Sequence, residues 1–217
     1  RPMLLGSGQQ LGLHPSPEIS LLFYVSPTGN YFKGKTNGLK IHLETRKSRA
    51  ARGGTGNVKC AGNYGVTLRP LTDAKAEGFD DNVYLELETY RPGKLEEAVL
   101  QELSAANVFL VLRSGEIATP GLERGTILPG VTRDSILVLA REYAEELGQL
   151  VRESTGNEDA RVTVSERDVT VADLKDAAEA FVTGTAAEVV PLASVGTASY
   201  DEDAFEVTFP HGGTLPG

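Results

Sequence analysis

In the stretch ARGGTGNVKCAGNYG, residues 51 to 65, a single amine, Lys59, stands within a few residues of Gly53, Gly54, Gly56, Gly62 and Gly65. Glycine accepts positive φ and lets backbone approach closely, at an entropic cost to folding, so the cluster predicts a demanding turn around a side chain that can react. Spacing excludes two familiar phosphate loops. A P-loop closes on Gly-Lys-Ser/Thr, whereas Lys59 follows Val58 and precedes Cys60, and a dinucleotide fingerprint needs glycine where Lys59 itself stands. Nucleophile signatures fail as well: there is no Gly-x-Ser-x-Gly elbow, no Ser-x-x-Lys, and no histidine near Cys60, which is expected to pack rather than react.

Three further stretches hold polar groups at informative positions. In GTILPGVTRDS, residues 125 to 135, Pro129-Gly130 breaks the chain and Val131-Thr132 opens an amphipathic helix. The first amides of a helix are unpaired and sit at its positive dipole end, so an anion can bind there, although ordinary capping competes at every helix. In TGTAAEV, residues 183 to 189, Gly184 interrupts an apolar strand, which predicts a bulge or a close backbone approach. Among Glu86, Glu88, Glu96, Glu97 and Glu102, most are expected on the surface. Glu102 differs because it lies five residues before Asn107, at the threshold of an apolar strand, where a carboxylate would be buried and would need a cation. The sequence does not say which cation.

The elements that must position these groups mix without strict alternation. Strands are predicted in ISLLFYVSP, LKIHLET, NVYLELE, NVFLVLRSGEIATP and EAFVTGTAAEVVPLASV. Helices are predicted over 62–77, over 131–147 and, capped by Thr170 with Asp173 three residues on, over VADLKDAA. Loops are predicted at RKSRAARGG, 46–54, read as a solvated basic turn, and at RESTGNEDA, 152–160. This mixture favours an α+β fold over a doubly wound sheet.

Composition narrows the partners. The 217 residues carry a formal net charge of −9, which argues against tracking along a nucleic-acid backbone. One cysteine excludes an intrachain disulfide, and His14, His42 and His211 are too scattered to give a local metal-ligand spacing. No run approaches the roughly 20 apolar residues of a membrane-spanning helix, so an intracellular, membrane-free protein is expected. The opening at Arg1 and the ending FPHGGTLPG read as the edges of a piece cut from a longer polypeptide, with any targeting peptide outside it.

Taken in order, RPMLLGSGQQLGLHPSPEISLLFYVSPTGNYF, GGTGNVKCAGNYG, GTILPGVTRDSI and AFVTGTAAEVVPLASV resemble the branched-chain amino-acid aminotransferases. These are pyridoxal-phosphate-dependent enzymes of transaminase class IV, fold type IV, and the wording is closest to the plant type. The resemblance covers nearly all of the chain. It implies a mixed sheet or pseudo-barrel with surrounding helices, residues 1–35 ending a small domain and its connection, and residues 36–217 forming the large catalytic domain. It also implies a homodimer, a plastid or mitochondrial location, and amino acids and 2-oxo acids as partners.

By the same resemblance, Lys59 carries pyridoxal 5′-phosphate as a Schiff base and afterwards moves the α-proton, its amine freed by burial and nearby positive charge. Tyr64 bonds the ring oxygen, and Glu102 pairs with the pyridine nitrogen. Backbone amides of Val131 and Thr132 with the Thr185 side chain hold the phosphate, and amides of Thr185 and Ala186 face the substrate carboxylate. A D-amino-acid transaminase or an aminodeoxychorismate lyase of the class would keep the same lysine and glutamate, and a non-catalytic shortened product is a further alternative. Arg52 stands where proline or a small residue is usual. Ala105 and Ala106 replace more varied neighbours of Asn107, and RPGKLEEAVLQ is longer than its counterpart, which leaves Glu97 as a rival to Glu102. With the small domain's arginine and much of its pocket outside the chain, weak cofactor capture and poor turnover are expected of the 217 residues alone.

Overall fold

The computed structural model describes residues 1–27, 29, 32 and 37–209. The chain forms two compact units, Arg1–Lys33 and Gly34–Gly217.

In the first unit, β1 (Pro2–Gly6) and β2 (Ile19–Phe23) make an antiparallel ribbon with Pro2 opposite Phe23 and Gly6 opposite Ile19. Ser7 N donates to Glu18 O at 3.1 Å and Tyr24 N to Arg1 O at 3.2 Å, which extends the ladder at both ends. The apolar side chains of Leu4, Ile19, Leu21 and Phe23 stay exposed. β1 lacks the alternation that marks a half-buried strand and is not anticipated from sequence. The remainder of ISLLFYVSP after Phe23 is not in a strand, and Thr28, Asn30 and Tyr31 lie outside the described residues.

The second unit is built on a mixed sheet. Its strands are β3 (Leu39–Glu44), β4 (Asp81–Leu85), β5 (Leu100–Leu103), β6 (Asn107–Leu112), β7 (Glu116–Pro120), β8 (Thr163–Arg167), β9 (Ala177–Gly184), β10 (Glu188–Gly196) and β11 (Glu206–Thr208). Their spatial order is β5-β4-β3-β10-β9-β6-β7-β8, with β11 also paired to β10. β10 runs parallel to β3 but antiparallel to β9, so it is the seam between two halves of the sheet. The helices are α1 (Ala61–Gly65), α2 (Leu68–Ala76), α3 (Val131–Glu142), α4 (Ala144–Thr155) and α5 (Val171–Asp176). This is the α+β arrangement expected.

Burial on both faces explains β3. Leu39, Ile41 and Leu43 enter the apolar core, while His42 and Glu44 on the opposite face are buried too. Those polar groups are answered locally. His42 Nδ1 lies 2.7 Å from Asn82 Oδ1 and its Nε2 lies 2.8 Å from Asp201 Oδ2, while Thr45 Oγ1 donates to Asp201 Oδ1 at 2.9 Å. The loop after β10 is thereby tied to β3. On the other half of the sheet, α3 buries Leu137 and Ala140 against Phe109 and Ile117, and the Phe109 and Phe181 rings stack at 5.0 Å.

Several boundaries differ from the sequence reading for identifiable reasons. The segment 62–77 is two helices, because Thr67 turns back onto the Tyr64 carbonyl through both its amide and its hydroxyl. Pro70 then falls in the first turn of α2, where its missing N–H costs nothing. The helix predicted over 131–147 breaks at Tyr143, whose φ of −103° and ψ of 30° leave the α region. α4 then continues to Thr155, so the loop predicted from 152 begins only at Gly156, a left-handed residue with φ 68°. β5 and β8 are not anticipated because their sequences, LQEL and TVSER, carry polar residues that are neutralised only by tertiary partners. The reciprocal cap of α5 is present, with Thr170 N donating to Asp173 Oδ2 at 2.6 Å.

The edge strand β8 is secured by Arg167. Its guanidinium gives Glu116 of β7 two hydrogen bonds, at 2.8 and 3.1 Å, and gives Asp173 of α5 two more, at 3.0 and 2.9 Å. The Arg167 hydrogen bonds hold Glu116 below the usual carboxylate range. For Asp173, burial opposes ionisation, but the bonds from Arg167 and Thr170 outweigh it and the net shift is also downward. Arg167→Met is therefore expected to lose about 1–2 kcal/mol of unfolding free energy at pH 7. A depressed carboxylate stabilises the fold above its unfolded pKa and stops doing so as pH falls through its folded value. Urea titrations should then show the gap between Arg167→Met and wild type closing below about pH 4.

Candidate active site

Lys59 sits just before the short helix α1, and Asn63 of that helix fixes its loop. The buried Asn63 side chain donates to the Thr55 carbonyl at 2.6 Å and to the Val58 carbonyl at 2.7 Å, and it accepts from Thr55 Oγ1 at 2.9 Å. The loop from Thr55 to Val58 is thus pinned at both of its carbonyls, and Lys59 follows directly after the second. Lys59 Nζ donates to Tyr64 Oη at 3.2 Å. Because Tyr64 accepts that bond, its own hydroxyl proton remains free to donate elsewhere. Lys59 is exposed, so the burial expected to free its amine is not supplied by its neighbours in this chain.

The glycines divide by role. Gly53 takes φ 75°, which a β-carbon would strain. A β-carbon on Gly56 would stand 2.6 Å from Thr126 O, 2.7 Å from Thr126 Cα and 2.7 Å from Ala50 Cβ, so the lysine loop lies directly on residue 126. Gly62 and Gly65 face open space, which corrects the expectation that all five serve one tight turn. Cys60 is half-buried beside Thr55 rather than packed in the core.

Thr126 links this loop to a buried carboxylate. Its carbonyl accepts from Arg49 Nη1 at 3.0 Å, and its hydroxyl donates to the buried Glu86. Arg49 Nη2 meets Glu102 Oε1 at 2.7 Å, with side-chain exposures of 1% and 3%. Glu102 Oε1 also accepts from Leu128 N at 2.9 Å, and Oε2 accepts from Asn107 Nδ2 at 2.8 Å. The partner that Glu102 requires within this chain is therefore Arg49, and the basic loop is not simply solvated. Burial still raises the Glu102 pKa to about 7, against the opposing pull of Arg49, the Leu128 amide, Lys59 and Arg133. Glu97 is no rival, being exposed and paired to Lys94 at 3.0 Å.

Asn107 joins the remaining candidates. Its Nδ2 donates to Leu128 O at 2.9 Å as well as to Glu102, and a β-carbon on Gly130 would stand 2.3 Å from its Oδ1. Gly130 is the N-cap of α3 and makes no side-chain cap, so the first amides of α3, those of Val131 and Thr132 included, have no capping oxygen from the cap residue. Asn107 also pairs in register with Thr183 on β9. The next residues, Thr185 and Ala186, are exposed in the turn joining β9 to β10, with Glu188 at φ 61° as it re-enters the sheet. Gly184 thus ends a strand before a hairpin turn rather than forming a bulge within one.

The structure brings Glu102, the α3 amides and the β9–β10 turn around Asn107, and it joins the Lys59 loop to Glu102 through Thr126 and Arg49. Arg49, Asn63 and Thr126 are missed by sequence reasoning. Arg49 is one of four cations between 46 and 52, and nothing local distinguishes it. Among the described residues no group of three His, Cys, Asp or Glu could hold a metal ion, and no helix is long and apolar enough to cross a membrane.

The fold is that of a branched-chain aminotransferase structure from Escherichia coli, matched at a TM-score of 0.67 and 24% identity over 94% of this chain and 60% of that one. Residues 1–195 match the family described as amino-transferase class IV, and the chain belongs to that family. Among curated proteins, it is 40% identical over 209 residues to branched-chain-amino-acid aminotransferase 5, chloroplastic, of Arabidopsis thaliana, covering 94% of this chain and 44% of that protein. It is 42% identical over 195 residues to the mitochondrial branched-chain-amino-acid aminotransferase 1 of the same plant, covering 90% and 44%. The chain spans less than half the length of these relatives.

Contact between residues 56 and 126 gives a direct test of the loop geometry. Gly56→Ala must displace backbone and is expected to cost about 1–3 kcal/mol, whereas Gly62→Ala, facing open space inside a helix, should be neutral or mildly stabilising. Paired urea denaturation curves decide this. Equal effects at the two positions would contradict the geometry.

Proposed function

We propose that this chain carries the pyridoxal-phosphate site of a branched-chain amino-acid aminotransferase, exchanging amino groups between leucine, isoleucine or valine and 2-oxoglutarate. The observation that carries the reading is the pairing of an accessible Lys59–Tyr64 amine and phenol with a buried carboxylate, the lysine loop lying on Thr126 at Gly56 and Glu102 reaching Thr126 through Arg49. The residues fit the cofactor in three respects. Glu102 Oε1 is fully used by Arg49 and Leu128, whereas Oε2 has one protein donor and can accept a second. The start of α3 offers amides without a side-chain cap from Gly130. Gly130 leaves no room for a β-carbon beside Asn107, which keeps those amides close to Glu102.

Pyridoxal phosphate, when bound, supplies an aldehyde for amine exchange and a ring that takes up negative charge from the substrate α-carbon. Lys59 Nζ would hold the cofactor and carry the proton to and from that carbon. Tyr64, bonded to Lys59, would have its hydroxyl proton available for the ring oxygen. Glu102 Oε2 would accept from the protonated pyridine nitrogen. Val131 and Thr132 offer amides, and Thr185 a hydroxyl, to the phosphate, while amides of Thr185 and Ala186 receive the substrate carboxylate. The names of the plant relatives support the substrate class and a plastid or mitochondrial location. A homodimer without nucleic-acid or membrane partners completes the reading, with residues 36–217 as the large domain.

Borohydride reduction of the protein mixed with pyridoxal phosphate, followed by peptide mass mapping, is expected to label Lys59. A label on another amine, or none, would sink the assignment. Lys59→Ala should abolish the label and, in the full-length parent, reduce leucine-dependent formation of glutamate by about 10²–10⁴-fold. Offering leucine, D-alanine and aminodeoxychorismate in parallel to the full-length parent distinguishes the reactions of the class, and failure on leucine defeats the branched-chain reading.

A further inference from the structure

We infer that Arg49 is a positioning residue that favours the ionised form of the Glu102 carboxylate and turns it so that Oε2, not Oε1, faces the ligand. The inference rests on the cofactor reading above and adds a residue that neither sequence nor family membership assigns.

The geometry separates the two oxygens of Glu102. Oε1 is saturated from the protein side by Arg49 Nη2 at 2.7 Å and Leu128 N at 2.9 Å. Oε2 accepts only from Asn107 Nδ2, at 2.8 Å. Arg49 can fix this orientation because its other terminal nitrogen is anchored 3.0 Å from Thr126 O, so the planar guanidinium spans two elements as a rigid fork. Thr126 in turn cannot shift freely, since the Gly56 backbone lies against it and Asn57 N donates to Gly125 O at 3.1 Å.

Charge makes the same residue decisive. Burial favours the protonated form of Glu102, and the charges that face it are Arg49, Lys59 and Arg133. Arg133 is committed to Pro120 O at 3.0 Å and Glu166 at 2.9 Å, and Lys59 is exposed and bonded to Tyr64. Arg49 alone of the three touches the carboxylate. With a pKa of about 7 while Arg49 is present, Glu102 is balanced between its two forms near neutrality. Loss of Arg49 raises that value further. At pH 7 a protonated Glu102 cannot accept a hydrogen bond from a ring N–H with the charge that holds the proton there.

The test uses cofactor-free protein first. Carbon-13 NMR of labelled glutamate carboxyls should give a Glu102 midpoint near pH 7 in wild type, at least one unit higher in Arg49→Met, and closer to wild type in Arg49→Lys. An unmoved midpoint in folded Arg49→Met overturns the inference. Release of pyridoxal phosphate on dilution should be at least about fivefold faster in Arg49→Met at pH 7, with the difference shrinking at pH 9, where Glu102 regains its charge. A loss equal at both pH values would show a merely structural arginine and overturn it as well. Because Arg49→Met strands a buried carboxylate, Glu102→Gln and the double variant Arg49→Met/Glu102→Gln keep the question decidable. Their release rates should agree within twofold, and a further tenfold loss in the double variant would show Arg49 acting by another route. Absence of a reducible adduct at Lys59 in wild type would fail the cofactor reading while leaving the NMR titration to judge Arg49 by itself.

Discussion

A carboxylate buried at 3% exposure is the constraint on which the site depends. Removing an anion from water is costly unless donors surround it, and Glu102 draws its donors from three separate places in the chain. Arg49 comes from the loop after β3, Asn107 from the start of β6, and the Leu128 amide from the segment before α3. Each must arrive for the others to be worth having. The position of α3, and with it that of the Val131 and Thr132 amides, follows from this requirement more than from any property of the helix.

The lysine loop obeys the same logic at one remove. Lys59 is not itself buried, yet its place is set by buried groups: Asn63 gripping the carbonyls on one side, and Gly56 lying on Thr126 on the other. Thr126 serves both halves, since its carbonyl anchors Arg49 and its hydroxyl satisfies Glu86. A reactive amine on a flexible four-carbon stem is thereby held by a rigid base without sacrificing its access to solvent. The Tyr64 hydroxyl supplies the only hydrogen-bond partner given to Nζ among the described residues.

Sequence conveys this architecture unevenly, and the reasons are physical. Strands β3, β4, β6, β7, β9 and β10 announce themselves as apolar, β-rich runs, of which β4 and β6 are buried on both faces and β10 only in part. β5 and β8 do not, since Gln101, Glu102, Glu166 and Arg167 look like surface residues until their partners are known. The break at Tyr143 leaves no trace in the periodicity, which continues across it. In the site, Lys59 stands out through its glycines and Glu102 through its distance from Asn107, but Arg49 is indistinguishable from Arg46, Lys47 and Arg52 until the chain path turns it inward. The hairpin turn at Thr185–Ala187 was equally hidden, because a glycine in an apolar run signals a bulge and a strand end alike.

The seam strand β10 has a consequence for how the protein comes into being. Residue 39 of β3 and residue 192 of β10 are register partners, as are residue 183 of β9 and residue 189 of β10. On one side the partner is a few residues away, and on the other it is most of the chain away. During synthesis the strands β3 to β5 and β6 to β9 can each pair among themselves, but no strand-to-strand ladder joins the two groups until β10, which begins at residue 188, has been made. Closure of the sheet therefore waits for its last long strand, while the buried bonds around Glu102 already hold the two halves side by side.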